Sequence, residues 1–283
     1  MQIPYRRGSF KLKKEKVMDK RNEGTTGTVY FVGAGPGDPD LITLRGKELL
    51  TIADCIIYAG SLVNPQLLSY ARPACRCYNS AALTLEEILH IMCKEAAQGH
   101  CIVRLHTGDP SLYGAIREQI AGLRQAAVPF FVIPGVSSFT AAAAAMAAEY
   151  TVPGISQSVI ITRYGGRTPV PERQEIHNYA THTATMVIFL SAGHIAQVQD
   201  ELLQGGYAKD TPAAIVYKVS WADEKILSCT LGSLAATGRK ANITHTALIL
   251  VGHFLGAVYE RSCLYNPSFT HAFRKGDKEG NHG

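Results

Sequence analysis

Apolar runs alternate with amphipathic stretches along the first half of the chain, and this pattern predicts its fold class. Short apolar runs that read as strands occupy Val29–Val32, Cys55–Tyr58, His100–His106 and Pro129–Ile133. Stretches whose apolar residues recur at helical spacing separate them, at Leu41–Ala53, Leu83–Gln98 and Tyr113–Ala126. Strands separated by helices of about 10 to 15 residues predict βα units and a largely parallel sheet.

A second alternating half follows a change of texture near Pro153 and Gly154. It predicts a helix at Ile195–Gln204 and strands at Val159–Thr162, Met186–Leu190, Ala213–Tyr217, Lys225–Thr230 and Thr246–Val251. We therefore predict two α/β domains, residues 27–152 and 153–257, with a cofactor and substrate cleft between them. A basic, disordered arm is expected over residues 1–26 and a loose tail over residues 258–283.

The net charge of +5 belongs to the amino-terminal arm rather than to the body of the chain. Residues 1–26 hold eight Lys or Arg against three Asp or Glu, so the remaining residues balance. A neutral body argues against a nucleic-acid partner. The arm has no apolar segment typical of a secretory signal. Apolar runs elsewhere fall short of the roughly 18 residues that a membrane span needs, so no membrane partner is expected.

The seven cysteines are odd in number and include no C-x-x-C pair. Free thiols in a reducing compartment are the simplest interpretation, and we predict a cytoplasmic protein. A lone C-x-C at Cys75 and Cys77 is too little for a metal site, and the histidines lack metal-ligand spacing. No metal is predicted.

The first strand ends in a glycine loop that resembles two nucleotide-binding motifs and matches neither. Residues 29–38 read VYFVGAGPGD. A dinucleotide fingerprint needs a glycine where Asp38 stands, and a phosphate loop needs a lysine that this loop lacks. An acid at a helix start also repels phosphate. The loop therefore suits a ligand without pyrophosphate, which disfavours a dinucleotide oxidoreductase, or it is only a tight turn.

Four segments rich in Gly, Ser or Thr each follow a predicted strand: GAGPGD from Gly33, HTGDPSLYG from His106, PGVSS from Pro134 and FLSAG from Phe189. Ligands of α/β sheets bind beyond the carboxyl ends of the strands, so these segments are expected to form a site. Asp109 is either a carboxylate that receives a ligand or a residue that caps the following helix.

In this order, the segments resemble the tetrapyrrole methyltransferase family, the class III S-adenosylmethionine-dependent methylases. The resemblance spans Thr28 to Leu255 and rests on GAGPGDPDLITLRG, RLHTGDPSLYGAIREQ, IPGVSSFTAAAAA and the strand ending in FLS. The stretches ITRYGGRTPVPE from Ile161 and VYKVSWADEKI from Val216 are similar to the members that methylate C-11 of precorrin-4 or cobalt-precorrin-4 in cobalamin biosynthesis. The second segment departs from the KGGDPFIFGR that is usual in uroporphyrinogen methylases.

The resemblance implies S-adenosylmethionine as the methyl donor, a molecule without phosphate, and it implies a homodimer. The cofactor-binding residues that it implies lie in loops of both predicted domains: Pro36, Gly108, Asp109, Leu112, Ser137, Ser138, Leu190, Val219 and Thr246.

Methyl transfer from a sulfonium is an in-line displacement, so the enzyme acts mainly by holding the reacting atoms in place. The sequence does not identify a general base for a later proton loss. His106 and Asp109 are candidates, and either can be structural instead. Arg163 and Lys218 are expected to bind the carboxylates of the substrate, because cations pair with acetate and propionate groups.

Alternatives stay open at this point. The methylated position can be C-2/C-7, C-17 or C-20, or the substrate can be uroporphyrinogen-III. A non-catalytic module that binds tetrapyrrole or S-adenosylmethionine is a further alternative, against which the intact GAGPGD, TGDP and PGVSS segments argue. The sequence does not decide whether the substrate carries cobalt.

Overall fold

The computed structural model describes residues 26–256 and 260–276, which divide into two compact units between Val136 and Ser137. The sequence predicts the change of domain later, after residue 152. The earlier division reflects a helix at Ser138–Ala145, which packs through Ala141 and Ala142 against the sheet of the second unit. The predicted basic arm lies outside the described residues except for its last residue.

The first unit is a parallel five-stranded sheet with helices on both faces. Its strands are β1 (Thr28–Gly33), β2 (Cys55–Tyr58), β3 (Arg76–Asn79), β4 (Cys101–His106) and β5 (Phe130–Ile133), in the order β3-β2-β4-β1-β5. Its helices are α1 (Leu44–Ile52), α2 (Leu85–Ala96) and α3 (Ile116–Gln125). Every strand pair is parallel, as predicted. The segments that follow β4, β1 and β5 therefore emerge side by side at one edge.

Alternation along the strands assigns their side chains to the two helical layers. Val29 and Phe31 of β1 pack in the cluster that includes residues of α2 and α3. Tyr30 and Val32 pack on the other face, in the cluster that includes Leu49 of α1. Each fully buried side chain of this kind stabilises the fold by about 1.5–3 kcal/mol. The unpredicted strand β3 lies at the sheet edge with mostly exposed side chains, so no apolar run marks it.

The second unit contains a mixed sheet of five strands. They are β6 (Val159–Arg163), β7 (Thr185–Phe189), β8 (Pro212–Tyr217), β9 (Lys225–Thr230) and β10 (Ala247–Val251), in the order β6-β7-β10-β8-β9. Its helices are α4 (Ser138–Ala145), α5 (Ile176–Ala180), α6 (Ile195–Gln204) and α7 (Leu234–Lys240). Short 3-10 turns complete the described secondary structure of the chain: Pro39–Leu41, Gly60–Leu62, Pro65–Tyr70, Ser80–Ala82, Glu172–Gln174, Ala192–His194, Leu231–Ser233, His253–Leu255 and Cys263–Tyr265.

The second sheet is mixed, unlike the parallel sheet of the first unit. Only β6 and β7 pair in parallel, whereas β10 is antiparallel to both β7 and β8, and β8 is antiparallel to β9. The connection from β8 to β9 is too short for a parallel crossover and forms a hairpin instead. The carboxyl ends of β6, β7 and β8 and the amino end of β10 consequently share one edge. In the described residues no helix is both long and apolar enough to span a membrane.

A buried ion cluster stabilises the first unit at the edge opposite its glycine loops. The side chain of Glu95, only 2% exposed, accepts a hydrogen bond from the Arg76 guanidinium, and its Oε2 lies 2.7 Å from His100 Nδ1. A buried carboxylate of this kind stabilises the fold through its hydrogen-bonding partners rather than through its own burial.

Replacing Glu95 with Gln is expected to lower the free energy of unfolding by about 2 kcal/mol, because the buried hydrogen bonds lose their charge. Urea denaturation measures this change. Glu48→Gln is the matched control, since the Glu48 carboxylate is exposed and lies 3.5 Å from Arg45, and its effect should stay below about 0.5 kcal/mol. Equal effects of the two substitutions would contradict the assignment of a buried cluster.

Candidate functional site

Three glycine loops meet at the carboxyl edge of the first sheet. Gly35 and Gly108 form an antiparallel bridge, in which the Gly108 N–H donates to the Gly35 carbonyl at 2.8 Å. A β-carbon on Gly135 would lie 2.2 Å from the Gly108 carbonyl oxygen and 2.7 Å from the Gly33 α-carbon. Only glycine permits this approach. Of the four segments expected to form one site, these three share the carboxyl edge of the first sheet, whereas FLSAG follows β7 of the second sheet.

The carboxylate of Asp109 ties the second loop to the third. Its Oδ1 accepts hydrogen bonds from the Ser111 N–H at 2.8 Å and from the Ser111 hydroxyl, and its Oδ2 accepts from the Gly135 N–H at 2.8 Å. Burial alone would raise the pKa of this carboxyl, but the Ser111 hydroxyl and the two N–H groups outweigh burial and lower it. Asp109 is therefore an ionised loop anchor with both oxygens engaged, which does not suit a general base.

The remaining predicted residues of the first unit lie in the same loops. Pro36 is buried between Gly35 and Gly37, and the Gly37 carbonyl accepts a hydrogen bond of 2.9 Å from the Asn64 side chain. Leu112 is half-buried in the turn that its N–H closes on the Asp109 carbonyl at 3.2 Å. Both residues belong to the loop assembly that the glycines form.

His106 ends β4 beneath these loops and is 4% exposed. Its Nε2 finds no hydrogen-bond partner among the described residues, and its ring stacks on Phe31 at 6.0 Å between centroids. Burial, followed by the positive charge of Arg104, lowers its pKa to about 3. A histidine with this pKa is neutral at pH 7 and binds a proton too weakly for a general base there.

The depressed pKa of His106 predicts a pH-dependent stability. The unfolded chain binds this proton near pH 6.5 and the folded chain only near pH 3, so stability is complete above pH 6.5 and falls as the pH drops. Between pH 7 and pH 5 the loss amounts to about 2 kcal/mol. The His106→Gln variant should lack this component in urea titrations at the two pH values. The exposed His90→Gln variant is the control, and identical pH dependence in all three proteins would refute the prediction.

Strained backbone marks the corresponding edge of the second sheet. Leu190, Lys218 and Thr246 have φ values of 53°, 45° and 52°, in the left-handed region that non-glycine residues avoid. The Lys218 N–H donates to the Thr246 carbonyl at 2.9 Å, and the Leu190 side chain is 67% exposed. Strain of this kind costs on the order of 1–3 kcal/mol per residue and clusters at binding sites.

Three other residues of the second unit that are predicted to bind the cofactor differ in burial. Ser137 precedes α4 and is buried, and its hydroxyl makes no capping bond to that helix. Ser138 is half-buried in the first turn of the same helix. Val219 packs in the core with Val216. The Val219 side chain is therefore part of the core rather than exposed at the edge of the sheet.

Arg163 and Lys218, expected to bind substrate carboxylates, both have partners inside the second unit. The Arg163 guanidinium donates to the carbonyls of Thr168 and Pro169, each at 2.9 Å, and holds the loop after β6 closed. The Lys218 ammonium lies 2.7 Å from Asp223 Oδ2. Neither observation tests substrate binding, but each shows what a substrate carboxylate would have to displace.

Glycine loops at the carboxyl edge of a parallel sheet, held together by a carboxylate, define an α/β protein with a candidate small-ligand site beyond its strand ends. The chain belongs to the tetrapyrrole (corrin/porphyrin) methylases, whose family model matches residues 28–235.

Individual relatives sharpen this similarity. The cobalt-precorrin-4 C(11)-methyltransferase of Methanocaldococcus jannaschii is 51% identical over 252 residues, covering 89% of this chain and 97% of the relative. The X-ray structure of a cobalt precorrin-4 methyltransferase is similar with a TM-score of 0.79 and 43% identity, over 81% of this chain and 95% of that one. A uroporphyrin-III C-methyl transferase from Thermus thermophilus, complexed with S-adenyl homocysteine, has a TM-score of 0.70 and 28% identity over 82% and 100%.

Proposed function

We propose that this protein transfers a methyl group from S-adenosylmethionine to C-11 of precorrin-4 or cobalt-precorrin-4 in cobalamin biosynthesis. The observation that carries the proposal is the 51% identity, over 89% of the chain, to a relative named for this reaction. That relative is named for the cobalt form, which supports cobalt-precorrin-4 as the substrate. The uroporphyrin-III enzyme is similar at only 28% identity, so that substrate is the weaker alternative.

The loops of the first unit fit S-adenosylmethionine as the cofactor. Their edge offers main-chain groups and one ionised carboxylate, and it lacks the lysine of a phosphate loop. S-adenosylmethionine carries no phosphate, and when bound it supplies a methyl group activated by a positively charged sulfur. A relative crystallised with S-adenyl homocysteine supports this choice.

Particular residues are proposed to hold the cofactor in each unit. In the first unit they are Pro36, Gly108, Asp109 and Leu112, whose loops the glycine contacts and the Asp109 carboxylate keep in place. In the second unit they are Ser137, Ser138, Leu190, Val219 and Thr246, which include two of the strained positions. These residues act by binding and orienting, because positioning supplies most of the rate enhancement for an already activated methyl donor.

We further propose that Lys218 binds a carboxylate of the tetrapyrrole, which replaces Asp223 as the partner of its ammonium group. The Lys218→Ala variant should raise the KM for the tetrapyrrole about fivefold and leave the KM for S-adenosylmethionine unchanged, as expected for loss of a partly exposed ion pair. Steady-state kinetics with each substrate varied separately measures this. Lys225→Ala, a neighbouring cation 5.9 Å from the Tyr217 ring, is the control, and equal effects of both variants would overturn the assignment.

Arg163 has a related role in the proposal, through the loop that it closes. With its guanidinium bonded to the carbonyls of Thr168 and Pro169, Arg163 presents the loop to the tetrapyrrole and contributes its positive charge beside it. On the basis of the family resemblance, the protein is also proposed to be a cytoplasmic homodimer. Light scattering of the purified protein tests the dimer.

Two assays test the proposed function. Calorimetric titration should show binding of S-adenosylhomocysteine and none of NADH, whereas preference for NADH would overturn the cofactor assignment. Incubation of precorrin-4, with and without cobalt, and methyl-labelled S-adenosylmethionine should give a labelled product, with faster transfer to the cobalt form. Transfer to uroporphyrinogen-III in a parallel incubation, with none to precorrin-4, would support the weaker alternative.

A further inference from the structure

Arg104 is a buried positive charge in the first unit to which the proposed function assigns no role. It lies on β4 and is 5% exposed. Its Nε donates to Gln119 Oε1 at 3.1 Å, and its Nη1 donates to the Ile57 carbonyl at 3.2 Å. Within the described part of the chain no carboxylate bonds to it. Burial of a charged guanidinium lowers the stability of the fold unless hydrogen bonds compensate for the lost hydration.

The side chain of Gln119 links Arg104 to the loop that precedes α3. Gln119 is 4% exposed on α3, and its Nε2 donates to the Ala115 carbonyl at 3.0 Å. Ala115 precedes the first residue of α3 with a φ of 48°, and Tyr113 has a φ of 55°. The side chain of Ala115 cannot cap the helix, and the Gln119 amide instead adds a side-chain hydrogen bond to the main-chain carbonyl at this position.

The loop from Gly108 to Ala115 is therefore held at both ends. At its start, Gly108 pairs with Gly35 and the Asp109 carboxylate bonds to the Gly135 N–H. At its end, Gln119 holds Ala115 and is itself held by Arg104. Leu112 lies between these two anchors, in a stretch whose left-handed residues would relax if either end were released.

We propose that Arg104 and Gln119 are positioning residues for cofactor binding: through the Ala115 carbonyl they keep the Gly108–Ala115 loop in its strained, ligand-ready conformation. The inference rests on the proposed function, since it takes S-adenosylmethionine as the ligand of this loop. Neither residue touches the cofactor in this account. The hydrogen bonds from Arg104 through Gln119 to Ala115 raise the affinity for the ligand, because a loop that is already ordered loses less conformational entropy on binding.

Two substitutions at Gln119 separate positioning from general stability. Gln119→Glu keeps an acceptor for Arg104 and supplies it with an opposite charge, but it loses the N–H that holds Ala115. Gln119→Leu loses both contacts. We expect Gln119→Glu to melt at or above the temperature of the native protein, while its Kd for S-adenosylhomocysteine rises at least tenfold. Gln119→Leu should weaken binding at least as much and also melt lower.

The control is an ion pair at the opposite edge of the same sheet. Arg72 lies 2.6 Å from Asp54 Oδ1, and Arg72→Met should lower the melting temperature but leave the Kd for S-adenosylhomocysteine within twofold. In kinetics, the Gln119 variants should raise the KM for S-adenosylmethionine more than they lower kcat.

The outcomes distinguish this inference from the proposed function. If the native protein does not bind S-adenosylhomocysteine, both the proposed function and the inference are overturned. If the native protein binds and both Gln119 variants bind equally well, the proposed function stands and the inference is overturned. The inference is equally overturned if Arg72→Met weakens binding as much as Gln119→Glu.

Discussion

Replacing Gly135 with Ala is expected to abolish measurable S-adenosylhomocysteine binding and to lower methyl transfer at least ~100-fold, because a methyl group cannot be accommodated where the three loops meet. The added β-carbon would lie 2.2 Å from the Gly108 carbonyl oxygen and 2.7 Å from the Gly33 α-carbon. Both atoms belong to the main chain, so no flexible side chain can move aside. The loops must separate, and overpacking of this kind also lowers stability by about 1–3 kcal/mol.

Calorimetry with S-adenosylhomocysteine and thermal melting measure the two effects of Gly135→Ala. Gly122→Ala is the matched control in the same unit, because the three nearest atoms to its β-carbon all belong to the Leu89 side chain, which can shift. The control should bind S-adenosylhomocysteine within twofold of the native protein. Native affinity in the Gly135 variant would show that the loop contact plays no part in ligand binding.

Replacing Asp109 with Ala is expected to lower kcat/KM for S-adenosylmethionine at least ~100-fold, since it removes three hydrogen bonds to an ionised carboxylate. Asp109→Asn keeps one acceptor but turns an N–H₂ group towards a donor, so a loss of about tenfold is expected. Because its hydrogen bonds lower the pKa of Asp109, the anchor is present at neutral pH and is lost only as the pH falls through that lowered value.

The same variants distinguish an anchor from a general base. An anchor lost in Asp109→Asn raises the Kd for S-adenosylhomocysteine together with the fall in kcat/KM. A general base lost in the same variant lowers kcat and leaves the Kd unchanged. The geometry predicts the first result, since both carboxylate oxygens already accept hydrogen bonds from Ser111 and Gly135. The second result would restore Asp109 as a catalytic candidate.

Local patterns in the sequence were enough to predict elements in both units. The apolar run at residues 55–58 and the helical spacing at residues 195–204 match the observed elements, since burial of one face dictates both patterns. The direction of the second sheet could not be read in the same way. Strand β10 lies between β7 and β8 although it comes last in the chain, so the strand directions depend on long-range pairing. The periodicity of a single strand does not indicate which strands it pairs with.

The candidate site was predictable in its glycines and less so in its polar contacts. Three alternate glycines and a carboxylate in a turn indicated where the loops would lie. The bond from Asp109 to the Gly135 N–H joins residues 26 positions apart and has no local signal. Strain at Leu190 and Thr246 was equally hidden, because these residue types do not favour left-handed backbone. The role inferred for Gln119 likewise depends on contacts that only the folded chain brings together.

The position of the transferred methyl group tests the central claim most directly. Cobalt-precorrin-4 is incubated with the protein and S-adenosylmethionine carrying ¹³C in its methyl group, and the product is analysed by mass spectrometry and ¹³C NMR. The account predicts a single added methyl group whose labelled carbon is bonded to C-11. A label at another ring carbon, or no transfer to precorrin-4 in either its cobalt or its metal-free form, would contradict it.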